Sequence, residues 1–251
     1  VGEGSDAGAA ADAPARMRYS VPTSNRVLGA RDAGAPEVEA NVFTLIDLTQ
    51  TLDADSRSYP GTVPAWTAER VDIGNSAAVL TRFSDFDPHG GTHVDAPRHF
   101  APDGVDVTGL PLRLYSALIV PVDDVRIGAA SIPADCAGRA VLFSTGWEDR
   151  AGSTAYYEGF PYLTAEAAQR LADRGAGLVG LDSPSVDSGA EHSAHPAHEI
   201  LCAAGVPIVE GLVNLRALRA IEGEILFVAF PLKLRGIEGS PVRAVALVPG
   251  A

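Results

Sequence analysis

Apolar residues begin to recur in ordered blocks near residue 42. VFTLIDL (42–48) reads as a strand, and the turn-rich SYPGTVP (58–64) follows it. AAVLTRFS (77–84) is a second strand candidate and runs directly into a histidine-dense stretch. ALIVPV (117–122) and AVLFST (140–145) are short apolar runs bounded by turn residues, the pattern of buried strands. LTAEAAQRLADRG (163–175) is the clearest helix, with Leu163, Ala167, Leu171 and Arg174 at helical spacing. Thr164 can cap it, Glu166 sits in its first turn, and Gly175 stands where helices commonly stop. GLVGLDS (177–183) predicts a strand, and a short helix over about 196–204 has Pro196 in its first turn and Gly205 past its end. VPIVEGL (206–212), EILFVAF (224–230) and VRAVALV (242–248) close the chain as strands.

Strands outnumber helices and the two interleave only in the second half, which predicts a mixed α/β domain rather than a regular doubly wound one. No repeat or linker interrupts the pattern after residue 42. One domain is expected over 42–251, preceded by a flexible arm at 1–41 whose first sixteen residues are rich in Ala, Gly and Asp. With 46% apolar residues in 251, the chain can bury a proper core.

The net charge of −13, with no Lys/Arg run, argues against a nucleic-acid partner. A membrane span is not expected either, because apolar runs such as ILFVAF (225–230) fall far short of the roughly 20 residues a spanning helix needs. The first residues lack the apolar segment of an intact signal peptide, so a cytoplasmic location is expected, with an exported form whose leader has been removed as the alternative. Cys136 and Cys202 have neither knuckle nor redox-pair spacing and read as buried thiols, although they could pair. Any metal must then be held by His and carboxylates.

DPHGGTHVDAPRHF (87–100) holds three of the six histidines and gives H-x3-H-x-D-x3-H from His89, His93, Asp95 and His99. Gly90, Gly91 and Pro97 argue against a helix here. In an extended segment His93 and Asp95 face one side, about 6.5 Å apart, and the Gly-Gly pair can bend His89 onto the same site. Imidazole and carboxylate suit Zn²⁺, Mn²⁺ or Fe²⁺. The bland alternative is a solvated, turn-rich loop. Against it, all six histidines fall in two places, 89–99 and 192–198, as in a site assembled from distant segments. The second cluster leads through a helix turn and a strand from His198 to Glu210. Glu210 lies in an apolar run, and burying it unpaired would cost several kcal/mol, so its partner is a metal or one of Arg216, Arg219 and Arg243. His192 and His195 read as neighbours of a pocket mouth.

These motifs resemble the metal-dependent cyclase-like hydrolases, the family that includes bacterial kynurenine formamidase. The signature H-x-G-T-H-x-D-x-P-x-H-F is matched by His89, Gly91, Thr92, His93, Asp95, Pro97, His99 and Phe100. YPG (59–61), STGW (144–147), LDSPSVD (181–187), HEILCAAGVPIVEGLVNL (198–215) and GSPVRAVAL (239–247) follow in order, so the likeness spans about 42 to 248. It implies a mixed, barrel-like sheet with flanking helices, the cyclase-like swivelling β/β/α type, and assembly as a homodimer or homotetramer. It also implies one or two Zn or Mn ions per subunit, held at His89, His93, Asp95, His198 and Glu210, with His99 as catalytic acid/base.

General chemistry then suggests metal-bound hydroxide, since a divalent cation can pull the pKa of water toward about 7. The hydroxide would attack a small carbonyl substrate while His99 shuttles a proton to the departing nitrogen. Thr92 and Ser185 are candidate orienting hydroxyls, or plain turn and strand residues. Tyr59, Trp66, Phe83, Phe86 and Trp147 could clamp an aromatic ring or belong to the core. The resemblance favours the C–N bond of an aryl formamide. Gly-Thr-His-Val-Asp-Ala-Pro (91–97) differs from the Gly-Ala-His-Ala-Asp-Ala-Pro of formamidases proper, which keeps a second reading open: an isatin hydrolase or another enzyme opening or closing a cyclic amide or lactone. A member that binds a metal or ligand without turnover is the third.

Overall fold

The computed structural model describes residues 16–21, 41–53, 56–60, 63–71, 74, 79–189 and 194–249. The strand-forming blocks build one mixed sheet of nine strands: β1 (Arg16–Val21), β2 (Asn41–Asp47), β3 (His93–Asp95), β4 (Tyr115–Pro121), β5 (Ala140–Ser144), β6 (Leu178–Leu181), β7 (Ile208–Glu210), β8 (Ile225–Pro231) and β9 (Gly239–Pro249). Their spatial order is β1-β2-β9-β8-β4-β5-β6-β7-β3, and β3 pairs again with β9. That last pairing closes seven strands into a barrel, with β2 and β1 continuing beyond it from β9. β4 to β7 run parallel to one another, whereas the pairings that involve β3, β8 and β9 are antiparallel.

Alternation along the strands sorts the side chains into two cores. Ala140 and Leu142 of β5 join Val94, Leu178, Val209 and Phe227 in a cluster to which every barrel strand contributes, and this fills the interior. Val141 and Phe143, the intervening residues, point outward and pack with Val179, Leu181 and Ile208 under two helices. These are α1 (Ala165–Asp173) and α2 (Pro196–Ala203), which also pack on each other. Thr164 caps α1 as expected, its hydroxyl accepting from the Ala167 N–H at 3.2 Å. A third helix, α3 (Leu215–Leu218), buries Leu215 and Leu218 in the barrel cluster.

Leu80–Ser84 pairs antiparallel with Thr67–Val71 in an exposed ribbon separate from the main sheet. The expected arm at 1–41 lies outside the described residues apart from β1 and Asn41. Cys136 and Cys202 are buried free thiols. Among the described residues no helix is long and apolar enough to cross a membrane.

Candidate metal centre and active site

The site follows from strand register. β3 lies between β7 and β9, with His93 opposite Glu210, Val94 opposite Val209 and Asp95 opposite Ile208. Opposed residues share a face of the sheet. Val94 and Val209 fill the barrel, so His93, Asp95 and Glu210 face outward, toward the layer that holds α2. A slip of one residue would exchange the two faces and put the ionisable set into the apolar interior. Gly91, at φ 66°, supplies the left-handed turn that folds His89 back over β3. There His89 Nδ1 lies 2.8 Å from Asp95 Oδ1. His198 comes from the first turn of α2.

Asp95 is the hub. Its Oδ1 is 3.4 Å from His93 Nε2, and its Oδ2 is 3.4 Å from His198 Nε2. Glu210 completes the ring, with Oε2 3.5 Å from His93 Nε2 and Oε1 3.3 Å from His198 Nε2. Asp95, His93, His198 and Glu210 are all buried. Asp95 Oδ2 and His89 Nε2 are buried polar atoms without a hydrogen-bond partner, which a cation would satisfy. The donor atoms of His93, Asp95 and Glu210 fall within 4.8 Å of one another, as do those of His89, Asp95 and His99. Nitrogen and oxygen donors without thiolate fit a divalent ion such as Zn²⁺ or Mn²⁺.

The electrostatics agree. Burial alone would lower the pKa of His93, but the Asp95 and Glu210 carboxylates outweigh it and raise it to about 10. Burial is likewise outweighed at His198, which is raised by Glu210, Asp187 and Asp95. Burial opposes ionisation of Asp95, yet the imidazoles of His93, His198 and His89 hold it well below the usual carboxylate range. Two buried carboxylates create a strong demand for positive charge here. The arginines named as alternative partners for Glu210 are engaged elsewhere: Arg216 with Asp149 at 2.8 Å, Arg219 with Ser144, and Arg243 with Asp47.

A cavity of about 210 Å³ opens onto this cluster, with Tyr59, His99, Phe100, Ser185 and His195 among its walls. His99 lies in the 3₁₀ turn Pro97–His99, and its ring stacks on His89 with centroids 4.3 Å apart. Burial lowers its pKa despite the nearby Asp95, so its imidazole is neutral at neutral pH and can accept a proton.

The Cyclase family model matches residues 46–188, more than half of the chain. The chain belongs to the Cyclase family. It is 33% identical over 205 residues to the kynurenine formamidase of Geobacillus thermodenitrificans, covering 79% of this chain and 95% of the relative. Isatin hydrolase A from Ralstonia solanacearum superposes with a TM-score of 0.71 at 25% identity, over 82% of this chain and 92% of that one. A Bacillus stearothermophilus protein described as a predicted metal-dependent hydrolase superposes with a TM-score of 0.66 at 29% identity, over 82% and 98%. With these relatives the Cyclase-family chain is an enzyme of the amidohydrolase class.

The structure brings His89, His93, Asp95, His99, His198 and Glu210 together. His195 lines the cavity, while His192 lies outside the described residues. Of the aromatic candidates Tyr59 alone lines the cavity. Trp66 packs against Phe83, Phe86 is exposed, and Trp147 donates its indole N–H to the Tyr156 carbonyl at 2.8 Å. Thr92 braces the site from behind, donating to the Gly211 carbonyl at 2.6 Å and accepting from the Gln50 N–H at 2.8 Å. Sequence reasoning missed Phe100 as a wall residue and Asp187 as the partner of His198 Nδ1, at 2.7 Å. For Asp187 the available signal was an acidic residue closing the LDSPSVD motif.

Proposed function

We propose that this chain is a metal-dependent hydrolase that cleaves the C–N amide bond of a small aryl formamide. The observation that carries the reading is the convergence of His89, His93, Asp95, His198 and Glu210 around an unsatisfied carboxylate oxygen, beside a cavity with His99 in its wall. In this reading those five residues hold one or two Zn²⁺ or Mn²⁺ ions. The bound cation supplies Lewis acidity and an acidified water near neutral pH.

The remaining work falls to the protein. Tyr59 and Phe100 offer apolar walls for an aryl ring. The neutral imidazole of His99 takes a proton from the attacking water and returns it to the departing nitrogen, which an arylamide leaving group needs. Burial of the cluster limits access of bulk water. A second reading, opening of a cyclic amide such as isatin, is favoured by the cavity itself. About 210 Å³ is compact beside typical ligand pockets of roughly 300–1,000 Å³ and suits a fused ring. Residues 42–251 form the hydrolase domain of this proposal, preceded by the arm at 1–41, and the working assembly is a homodimer or homotetramer.

Formate release from N-formylkynurenine, by protein loaded with Mn²⁺ or Zn²⁺ against a chelated control, tests the reading. Fast, metal-dependent release is expected. Failure of the loaded protein would overturn the formamide assignment and move the assay to isatin. His99→Ala is expected to abolish turnover while keeping most of the metal, unlike His93→Ala. Equal metal loss in the two variants would refute the separate role given to His99.

A further inference from the structure

His198 is the one proposed ligand that sits on an α-helix, where its ring has to be aimed back at a sheet. Its Nε2 faces Asp95 Oδ2 at 3.4 Å and Glu210 Oε1 at 3.3 Å, while its Nδ1 lies 2.7 Å from Asp187 Oδ2. A carboxylate oxygen can only accept, so Nδ1 donates to Asp187, and Nε2 is the nitrogen that would offer its lone pair to a cation held between Asp95 and Glu210. Asp187 is itself fixed. Its Oδ1 accepts from the Ala197 N–H at 2.8 Å, and Oδ2 also accepts from the His198 N–H at 3.0 Å. Only 2% of the residue is exposed. The preceding residue serves the other downstream ligand, since the Val186 N–H donates to Glu210 Oε1 at 2.7 Å. One short segment between β6 and α2 therefore orients two donors that lie twelve positions apart in the sequence.

We infer that Asp187 is a positioning residue for the metal centre, holding His198 by Nδ1 so that Nε2 points at the ion. The inference rests on the proposal that His198 is a ligand. His93 has a neutral counterpart of the same device, its Nδ1 lying 3.0 Å from the Gly91 carbonyl. The charged acceptor at His198 makes a stronger hydrogen bond than a carbonyl does. Removing such a partner typically weakens metal binding by about 10- to 100-fold. The competing explanation is that Asp187 merely caps the first turn of α2.

Serine at 187 is too short to reach the imidazole or the N–H groups of Ala197 and His198, so unfolding of the metal-free protein reads the lost cap, and zinc affinity compared across the His198→Ala background reads the lost orienting bond. Zinc affinity is measured by competition with a chromophoric chelator for the parent, Asp187→Ser, His198→Ala and the double variant, alongside thermal unfolding of each metal-free protein. Asp187→Ser is expected to bind zinc about 10- to 100-fold more weakly than the parent. In the His198→Ala background the same change is expected to cost nothing further, as for two residues acting through one contact. Parental affinity in Asp187→Ser, with His198→Ala weakened, would overturn the role of Asp187 alone. An equal loss in both backgrounds would also overturn it, because the effect would not pass through His198. Parental affinity in His198→Ala would instead remove His198 from the ligand set. Should the serine variant fail to fold, Asp187→Asn, of the same shape, takes its place with the same expected loss.

Discussion

At Gly239 a side chain would collide with the ring of His89, since an ideal Cβ there lies 2.6 Å from Cε1. Gly239 is paired with Asp95 across β9 and β3, so the missing side chain leaves the space in which His89 reaches that carboxylate. Gly239→Ala should displace the ring by a substantial fraction of an ångström. Because a misplacement of about 1 Å can cost on the order of 100-fold, a loss of that order in kcat/KM is expected, with little change in circular dichroism. Parental kinetics would show that His89 can move without consequence. At this scale the sequence was informative where chemistry follows local period. His93 and Asp95 share a face because strands alternate, and Glu210 stood out as a carboxylate in an apolar run. Gly239 and Asp187 stood in family motifs, but their roles were not legible because their partners, His89 and His198, meet them only through tertiary packing.

The segment that carries Gly239 is tied down by its neighbours. Asp106 accepts from the Thr108 N–H at 2.9 Å and from the Gly236 N–H at 2.7 Å, the Val107 N–H reaches the Ile237 carbonyl at 3.1 Å, and the Ala96 N–H reaches the Glu238 carbonyl at 2.8 Å. The hydrogen bonds that reach Asp106, that from the Thr108 hydroxyl first among them, hold its carboxyl down to about 2. A folded-state pKa below the unfolded value stabilises the fold above the unfolded value, and that stability is lost as pH falls through the folded one. The Asp106 contribution is therefore complete above about pH 4 and fades between about pH 4 and pH 2. Asp106→Asn should lower the urea midpoint of the metal-free protein at pH 6, with the gap from the parent closing as pH falls toward 2. A gap that is constant with pH would mean the carboxylate charge plays no part. Helices and strands were the legible part at this scale, since Thr164, Pro196 and the apolar blocks mark them directly. The exposed ribbon was half legible: its apolar and β-branched residues announced a strand at 77–84, of which 80–84 is the described strand, but nothing local told which sheet it would join.

The closure of the whole molecule depends on β3, a strand of three residues that holds both edges of the barrel together through β7 and β9. Periodicity cannot reveal so short a strand or its two partners, and the barrel was anticipated only through the family motifs. The same strand carries His93 and Asp95, so the proposed ion joins β3 to β7 through Glu210 and to α2 through His198. Binding at that junction stabilises the folded state alone, because the donors are scattered along the chain once it unfolds. At a free metal concentration about 100 times Kd the gain is about 2.7 kcal/mol, or roughly 5–10 °C in the unfolding temperature of a chain of this length. Scanning calorimetry with Zn²⁺ or Mn²⁺ should show that rise, and a chelator should reverse it. Glu210→Ala should flatten the response, since it removes a buried donor that faces both His93 and His198. A parent protein whose unfolding temperature ignores both metals would mean that the carboxylates satisfy their charge with protonated imidazoles, and the proposed metal centre would fall with that result.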